Sequence, residues 1–358
     1  MNSFGNIFTV LAAIFLIVCN SYDALAQEKD QGFGIVDTNY VESYPDEITA
    51  RLYTSIKYTR YRIWDGDLEK ALVWDPNRRL IAGFGAHYGI LGLNIGIPAP
   101  WIRSDESEET YGKTKYLDLQ SHLYLRNFTI DIYLQTYTGF YLSNPSEMLK
   151  GWEEGDPYPI RGDMNLKSLG ASIQYFFNGK RYSYKAVYNQ NEWQKKSAGS
   201  FIVGAGAYYI PTRADSVLIP ANVRYPQFFG RTNFNESEIF SVGPSVGYAH
   251  TFVIKKHFFI ALSWIGGITF GNSHVKDIFN LEAEKTGWTW NFHSTFRTGI
   301  GYNSRRWYVG FSYLNLAVSN QAPVEKGWLK FDTGNIRFNI ARRFSLKKQI
   351  KILRPDLW

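Results

Sequence analysis

The chain has 358 residues, of which 45% are hydrophobic and 17% aromatic, and it carries a formal net charge of +7. That length supports a sizeable core, and the mean hydropathy of -0.27 excludes a bundle of membrane helices while remaining compatible with a barrel whose strands spend half their residues on a polar lumen. The positive charges are dispersed, with no Lys/Arg run longer than a pair, which argues for a solvated surface and against nucleic-acid binding.

In chain order the first feature is an apolar run from Ile7 to Val18, interrupted only by Thr9. About twelve apolar residues are too few to span a bilayer as a helix. Ala24-Leu25-Ala26 then offers small residues where a signal peptidase reads, so a signal peptide cleaved after Ala26 is expected, although residues 1–6 lack the usual Lys or Arg. A lipoprotein site at Cys19 is disfavoured by the bulky Ile17-Val18 before it. Cleavage would remove Cys19 and leave a mature chain without disulfides, thiolate metal sites or a Cys nucleophile. No later segment reaches ~18 consecutive apolar residues, the length a membrane helix requires.

Residues 27–46 read as an irregular lead-in. From Ile48 the pattern is period two: Ile48, Ala50, Leu52, Ile56 and Tyr58 on one face, Thr49, Arg51, Tyr53, Ser55 and Lys57 on the other. Leu80–Tyr88 and Leu91–Ile97 are glycine-rich strand candidates, with Gly83, Gly85, Gly92 and Gly96 on the small face. Lys115–Arg126 and Phe128–Leu142 read as a tight hairpin. In its second strand Phe128, Ile130, Ile132, Leu134, Phe140 and Leu142 oppose Thr129, Asp131, Tyr133, Gln135, Tyr137 and Tyr141. A strand through Leu169, Ile173 and Phe177 reaches Asn178-Gly179, a dipeptide suited to a two-residue turn, and Tyr182, Tyr184, Ala186 and Tyr188 follow as the next strand face. Further strands run through Phe201–Tyr209, Phe240–Phe252, Phe258–Phe270, Trp288–Tyr302, Trp307–Tyr313 and Ile336–Ile340.

Short joins near Gly89, Asn127, Asn178, Lys255 and Asn303 interleave with long ones at 64–78, 98–113, 143–165 and 271–285. Tight turns on one rim and long loops on the other mark an outer-membrane barrel. The proline-containing stretch 211–236 reads as one weak strand or a plug-like loop. The fold class expected is therefore all-β: a single closed antiparallel up-and-down transmembrane barrel of about 12–14 strands over 47–344, followed by a basic tail at 345–358.

Chemistry is sparsely signposted. His87, His122, His250, His257, His274 and His293 show no metal-ligand spacing, there is no GxSxG elbow, and the Gly204 and Gly266-Gly267 segments lack the context of a phosphate loop. No catalytic, metal or cofactor site is assigned and no cofactor is expected. His122 and Asp118 share a strand face, which could orient an imidazole, but a lumen network is the simpler reading. The candidate polar network is Arg51, Lys57, Asp118, His122, Asp131, Lys185, His293, Arg297 and Arg337, whose opposite charges would pair in a narrow barrel. Trp288, Trp290, Trp307 and Trp328 read as interface-belt or strand-face aromatics.

Several segments carry a family resemblance: Asp37–Val41, Tyr44-Pro45-Asp46, Arg51-Leu52-Tyr53, Asp75-Pro76-Asn77, Gly112–Gln120, Gly139–Leu142, Asn189–Phe201, Gly243–Tyr248, Ile336-Arg337-Phe338 and Arg342-Arg343-Phe344. The chain resembles domain-of-unknown-function family 4421 of Bacteroidetes-type bacteria across nearly all its mature length. The resemblance implies a surface β-barrel of the outer membrane and brings no activity or catalytic residue. Phe344 is similar to the terminal aromatic that barrel assembly machinery reads, yet residues 345–358 follow it.

The function expected is an integral barrel of a Gram-negative outer membrane with a structural, binding or passive transport role and no enzymatic activity. Its partners would be outer-membrane lipids and the barrel assembly machinery. A barrel enzyme acting on lipid or lipopolysaccharide is the first alternative and a soluble periplasmic β-protein binding an apolar ligand the second. The discriminating observation is which face of Phe128–Leu142 looks outward.

Overall fold

The computed structural model describes residues 36–346, apart from 79, 90, 100–105, 278–282 and 286. The expected signal peptide and most of the basic tail lie outside the described residues.

A short strand β1 (Val41–Ser43) precedes β2 (Glu47–Asp65), β3 (Lys70–Asp75), β4 (Leu80–Tyr88) and β5 (Leu91–Pro98). Helix α1 (Glu106–Tyr111) leads into the hairpin of β6 (Lys115–Tyr124) and β7 (Phe128–Leu142), and α2 (Pro145–Met148) precedes β8 (Ile160–Phe176). Helix α3 (Lys185–Tyr188) and β9 (Glu192–Gln194) separate β8 from β10 (Ala198–Arg213). Then follow β11 (Phe234–Ile254), β12 (Phe258–Asp277), β13 (Ala283–Lys285), β14 (Thr289–Asn303), β15 (Trp307–Gln321) and β16 (Gly327–Ser345).

All but β1 and β9 join one 14-stranded antiparallel sheet. It closes because β16 pairs with β2 from Gly327↔Asp65 to Ser345↔Glu47. The closed circuit runs through 10 strands, β2, β16, β15, β14, β12, β11, β10, β8, β7 and β3. It is smaller than the whole sheet because β3 pairs with both β2 and β7, leaving β4, β5 and β6 beside the ring. Both ends of the barrel chain, at Glu47 and Ser345, lie on the rim of tight turns. One of those turns is at Lys255-Lys256, where both residues adopt left-handed φ of 50° and 65°, the conformation that a two-residue hairpin demands.

The discriminating strand resolves the orientation. Ile132 and Leu134 are each 48% exposed, whereas Asp131 and Gln135 are buried. The oily face looks outward and the wet face is enclosed, the arrangement of a barrel set in lipid. Phe140 and Leu142 depart from the expected face and point inward at 1% and 0% exposure. A bulge between Thr138 and Phe140 shifts the register there, and a one-residue slip sends every following side chain to the other face.

The same inversion recurs around the loop rim. On β2 the outward residues change from Leu52 and Ile56 to Arg60 and Arg62, while Tyr61 and Ile63 turn inward. On β11 Glu236 and Glu238 face out above Phe240, and Ile239 faces in. The outward charges pair along the sheet: Arg60 with Asp75 at 2.9 Å, Arg62 with Asp332, Arg213 with Glu236 at 3.6 Å, Lys70 with Glu147 at 2.8 Å. Arg161 holds the Asp163 carboxyl at 2.7 Å and lowers its pKa to about 2. The barrel therefore has two zones, one polar inside and oily outside, the other oily inside and charged outside. Hydrocarbon meets the first and water the second.

The oily outer band on β12 runs from Phe258 to Phe270. At ~3.3 Å per residue and a tilt of ~40°, that is roughly 30 Å of height, the depth of a bilayer core with its interfaces. Aromatic pairs mark both borders: Phe270–Trp288 (5.2 Å) and Phe292–Trp328 (6.1 Å) toward the loops, Phe258–Tyr302 (5.5 Å) and Phe201–Tyr248 (5.1 Å) toward the turns. The long joins expected at 64–78, 143–165 and 271–285 partly resolve into strands, because above the membrane the oily-out alternation that signals a strand reverses.

Candidate functional site

Two features inside the wall concentrate polar chemistry: a lumen bridged across its width, and a fork where the ring divides.

In the lumen, β7 and β14 stand five positions apart on the 10-strand ring and so face each other. Asp131 of β7 and Arg297 of β14 span the gap with an ion pair of 2.5 Å between fully buried side chains. His122 Nδ1 meets the other carboxylate oxygen of Asp131 at 2.7 Å. The Arg297 guanidinium lies over the rings of Tyr124, Tyr184 and Tyr188 at 5.7, 5.4 and 5.9 Å, a cation–π cage that compensates its desolvation. Nearer the loops, Tyr61 of β2 reaches Ser237 of β11, again opposite walls, at 2.7 Å.

Both mouths are covered. The segment between β8 and β10, expected as a tight Asn178-Gly179 turn and then a strand, is instead an inward plug. Gly179 has no positive φ, and Asn178 O accepts from the N–H of both Arg181 and Tyr182. Tyr182, Ser183, Tyr184, Ala186 and Val187 are all buried, which a lipid-facing strand cannot achieve, since alternate residues of such a strand must face out. Tyr184 Oη bonds Ser263, and Arg343 Nη2 donates to Glu192 O at 3.0 Å. Glu192 gathers Arg126, Ser183 (2.5 Å) and Ser43 (3.0 Å), tying the plug to β1 and the β6–β7 turn. At the loop rim, of the two readings of 211–236, the plug-like loop holds: β10 ends at Arg213, and Leu218, Phe228 and Phe229 bury themselves in the oily upper core.

The fork lies beside β2. β3 bridges β2 and β7 through Trp74↔Leu142 and Asp75↔Tyr141. At Pro76-Asn77 the wall splits, because proline removes a ladder donor and ends the strand. β4 continues along β2 with β5 outside it, while β6 stays with β7. Among the described residues β5 and β6 do not pair, so two free strand edges face each other below the β3–β7 joint.

The apex is closely tied. Asn77 N–H donates to Thr114 Oγ1 at 2.8 Å, and Asn77 Nδ2 donates to Ser107 O and Gly112 O, both at 2.9 Å. Thr114 Oγ1 donates to Gly139 O at 2.8 Å. Gly139 has φ +94°, and a Cβ there would lie 2.2 Å from Lys113 O, so only glycine fits. Just below, Lys57 of β2 reaches across to the free edge, donating to Asp118 Oδ1 at 3.1 Å and to Asp118 O at 3.0 Å. Tyr137 Oη donates to the other Asp118 oxygen at 2.5 Å.

The nine network candidates thus separate into groups. Lys57 pairs with Asp118, and His122, Asp131 and Arg297 form one chain. Asp118 is not the partner that orients His122. Lys185 sits on α3 in the plug rather than on a wall strand, and His293 packs against Tyr208, ring centroids 5.4 Å apart. Arg51 donates to Asn189 O at 3.1 Å, and Arg337 lies over the Tyr53 ring at 4.6 Å. Among the described residues no carboxylate pairs with either arginine. Sequence reasoning missed Tyr53, Tyr124, Tyr137, Tyr184, Glu192 and Asn77 as site residues. Only Asn77 had a local signal, its place after a strand-ending proline.

Among the described residues no three His, Cys, Asp or Glu side chains converge as metal ligands. Residues 35–344 match the family model described as Domain of unknown function (DUF4421). Among curated proteins none matches the chain. Among solved structures, the outer membrane protease OmpT from Escherichia coli is 8% identical, with 85% of this chain and 98% of that one covered and a TM-score of 0.38. The translocator domain of the autotransporter NalP from Neisseria meningitidis is 7% identical, covering 94% and 98%, with a TM-score of 0.34. The monoaromatic hydrocarbon channel CymD is 8% identical, covering 84% and 89%, with a TM-score of 0.27.

Proposed function

The chain belongs to the DUF4421 family, and we propose that it is an integral outer-membrane barrel whose axis is shut, acting in binding or structure rather than as an open pore. The observation that carries this reading is the polarity of the wall: Ile132 and Leu134 outside, Asp131 and Gln135 inside, with inversion to outward ion pairs above the aromatic border. A soluble barrel would have to expose that oily band to water, far more than a monomer tolerates. The Asp131–Arg297 bridge and the two covering segments support a lumen that does not conduct along its axis.

We read the His122–Asp131 pair as structural. Its carboxylate is neutralised by Arg297, Ser172 Oγ bonds Asp131 at 3.4 Å rather than the imidazole, and His122 Nε2 has no hydrogen-bond partner. A nucleophile–base relay would need the hydroxyl on His122.

The test is biochemical. The full chain expressed in a Gram-negative host is expected in the outer-membrane fraction, resistant to carbonate and high salt, with gel migration that shifts on boiling. Release by carbonate alone would overturn the reading.

A further inference from the structure

At the fork, among the described residues, β5 and β6 do not pair, and the axial plugs lie elsewhere. From Gly92 to Pro98, β5 is exposed on both of its faces. Its lumen side is therefore reachable, and its outer side presents Leu93, Ile95 and Ile97 to lipid. Across the slot β6 presents Leu117 and Leu119 to the same lipid. Free strand edges are avoided in hydrocarbon because their N–H and C=O groups go unsatisfied. Here Lys57 satisfies one edge carbonyl, that of Asp118, and the joint above holds the two arms at a set separation.

Behind the slot stand two cations. Gly83 and Gly96 carry no side chain, which lets Tyr53 lie flat on the β4–β5 wall; a Cβ at either would come within 2.7 Å of Tyr53. Arg337 rests on the lumen face of that ring. Arg51, one lumen-facing step from Tyr53 on β2, is 5% exposed, and its Nε has no partner, as is also true of Arg337 Nε. By contrast, Arg297 has the Asp131 carboxylate and Arg126 that of Glu192, whereas Arg51 has only the Asn189 carbonyl. Buried guanidinium groups without counter-charge are costly, and their planar donor forks match an oxyanion.

We propose that the slot between β5 and β6 takes up an anionic single-chain amphiphile from the bilayer. Its alkyl chain lies along Leu93, Ile95, Leu117 and Leu119, and its oxyanion head binds Arg337 and Arg51. This rests on the membrane reading above and extends it by naming a ligand class and a lateral route. The head chemistry is an oxyanion, carboxylate or phosphate, presented on a chain.

The full-length protein, reconstituted in zwitterionic phosphatidylcholine nanodiscs, is titrated with palmitate, hexadecyl phosphate, hexadecanol and inorganic phosphate, and bound equivalents are counted by native mass spectrometry. Both charged amphiphiles are expected to bind at one equivalent. Hexadecanol and inorganic phosphate are expected to bind at least about tenfold more weakly, each lacking one half of the recognition. R51Q/R337Q is expected to lower palmitate affinity about tenfold, with R337K falling between it and the parent, because an ammonium keeps the charge but not the planar fork. Equal binding of hexadecanol and palmitate, or unchanged binding by R51Q/R337Q, overturns the proposal. The comparison of the four probes on the unmodified chain decides the matter even if the double variant fails to fold. A protein that resists carbonate and shifts on boiling yet binds no amphiphile sinks the slot proposal alone, whereas carbonate release sinks the membrane reading first.

Discussion

Asp131 and Arg297 are separated by 166 residues in sequence and by one hydrogen bond in space. Each was recognisable as a wet-face residue from its place in an alternating strand. The pairing itself was not, because it depends on which strands end up diametrically opposite. With both side chains buried, breaking the pair leaves a bare charge: D131N is expected to destabilise the barrel by about 3–5 kcal/mol, and D131L/R297M to recover much of that loss. Urea unfolding in lipid vesicles, followed by the heat-modifiable band, measures both. If the single and double variants lose the same amount, the pair is not the compensating contact described. Gly139 belongs at this scale as well, since its φ of +94° and the nearby Lys113 carbonyl leave no room for a side chain. Nothing in an isolated glycine within Thr138-Gly139-Phe140 distinguishes a bulge from an ordinary strand position.

At the scale of elements, period two was a good guide wherever a strand has lipid on one side and lumen on the other. The β6–β7 hairpin, the β11–β12 turn and the shared face of Ile130, Ile132 and Leu134 follow from it. It misled in two places, for one reason. Above the membrane, water replaces lipid and the outward residues become Arg60, Arg62 and Glu238, so the pattern continues with its meaning reversed. In the plug, Tyr182, Tyr184 and Tyr188 alternate as a strand would, yet protein surrounds them on all sides. The two zones predict unequal sensitivity to charge. I132R, in the lipid band, is expected to cost about 2–4 kcal/mol, whereas K167E, outward but above the band, is expected to change stability by no more than about 0.5 kcal/mol. Folding titrations of the two variants in the same vesicles provide the comparison, and equal costs would contradict the zoning.

For the molecule as a whole, ring size and occlusion are linked. A 10-strand circuit is narrow enough for Asp131 and Arg297 to meet across it. In planar bilayers the full chain is expected to show no steady conductance, and deletion of residues 180–196 alone is expected to leave the axis shut, because the Asp131–Arg297 bridge and the buried Leu218, Phe228 and Phe229 at the other mouth remain. Large steady conductance from the intact chain would mean that the covering segments do not seal the axis. From the amino-acid order alone came the all-β class, the alternation of oily and wet faces, and the tight turns at 127 and at 255–256, since each depends only on neighbours a few residues apart. Tertiary structure decided which face looks outward, which opposite walls touch, that 179–197 folds inward, and that β5 and β6 part at the fork. Those outcomes depend on ring closure through β16 and β2, a contact between the two ends of the barrel chain that no local pattern encodes.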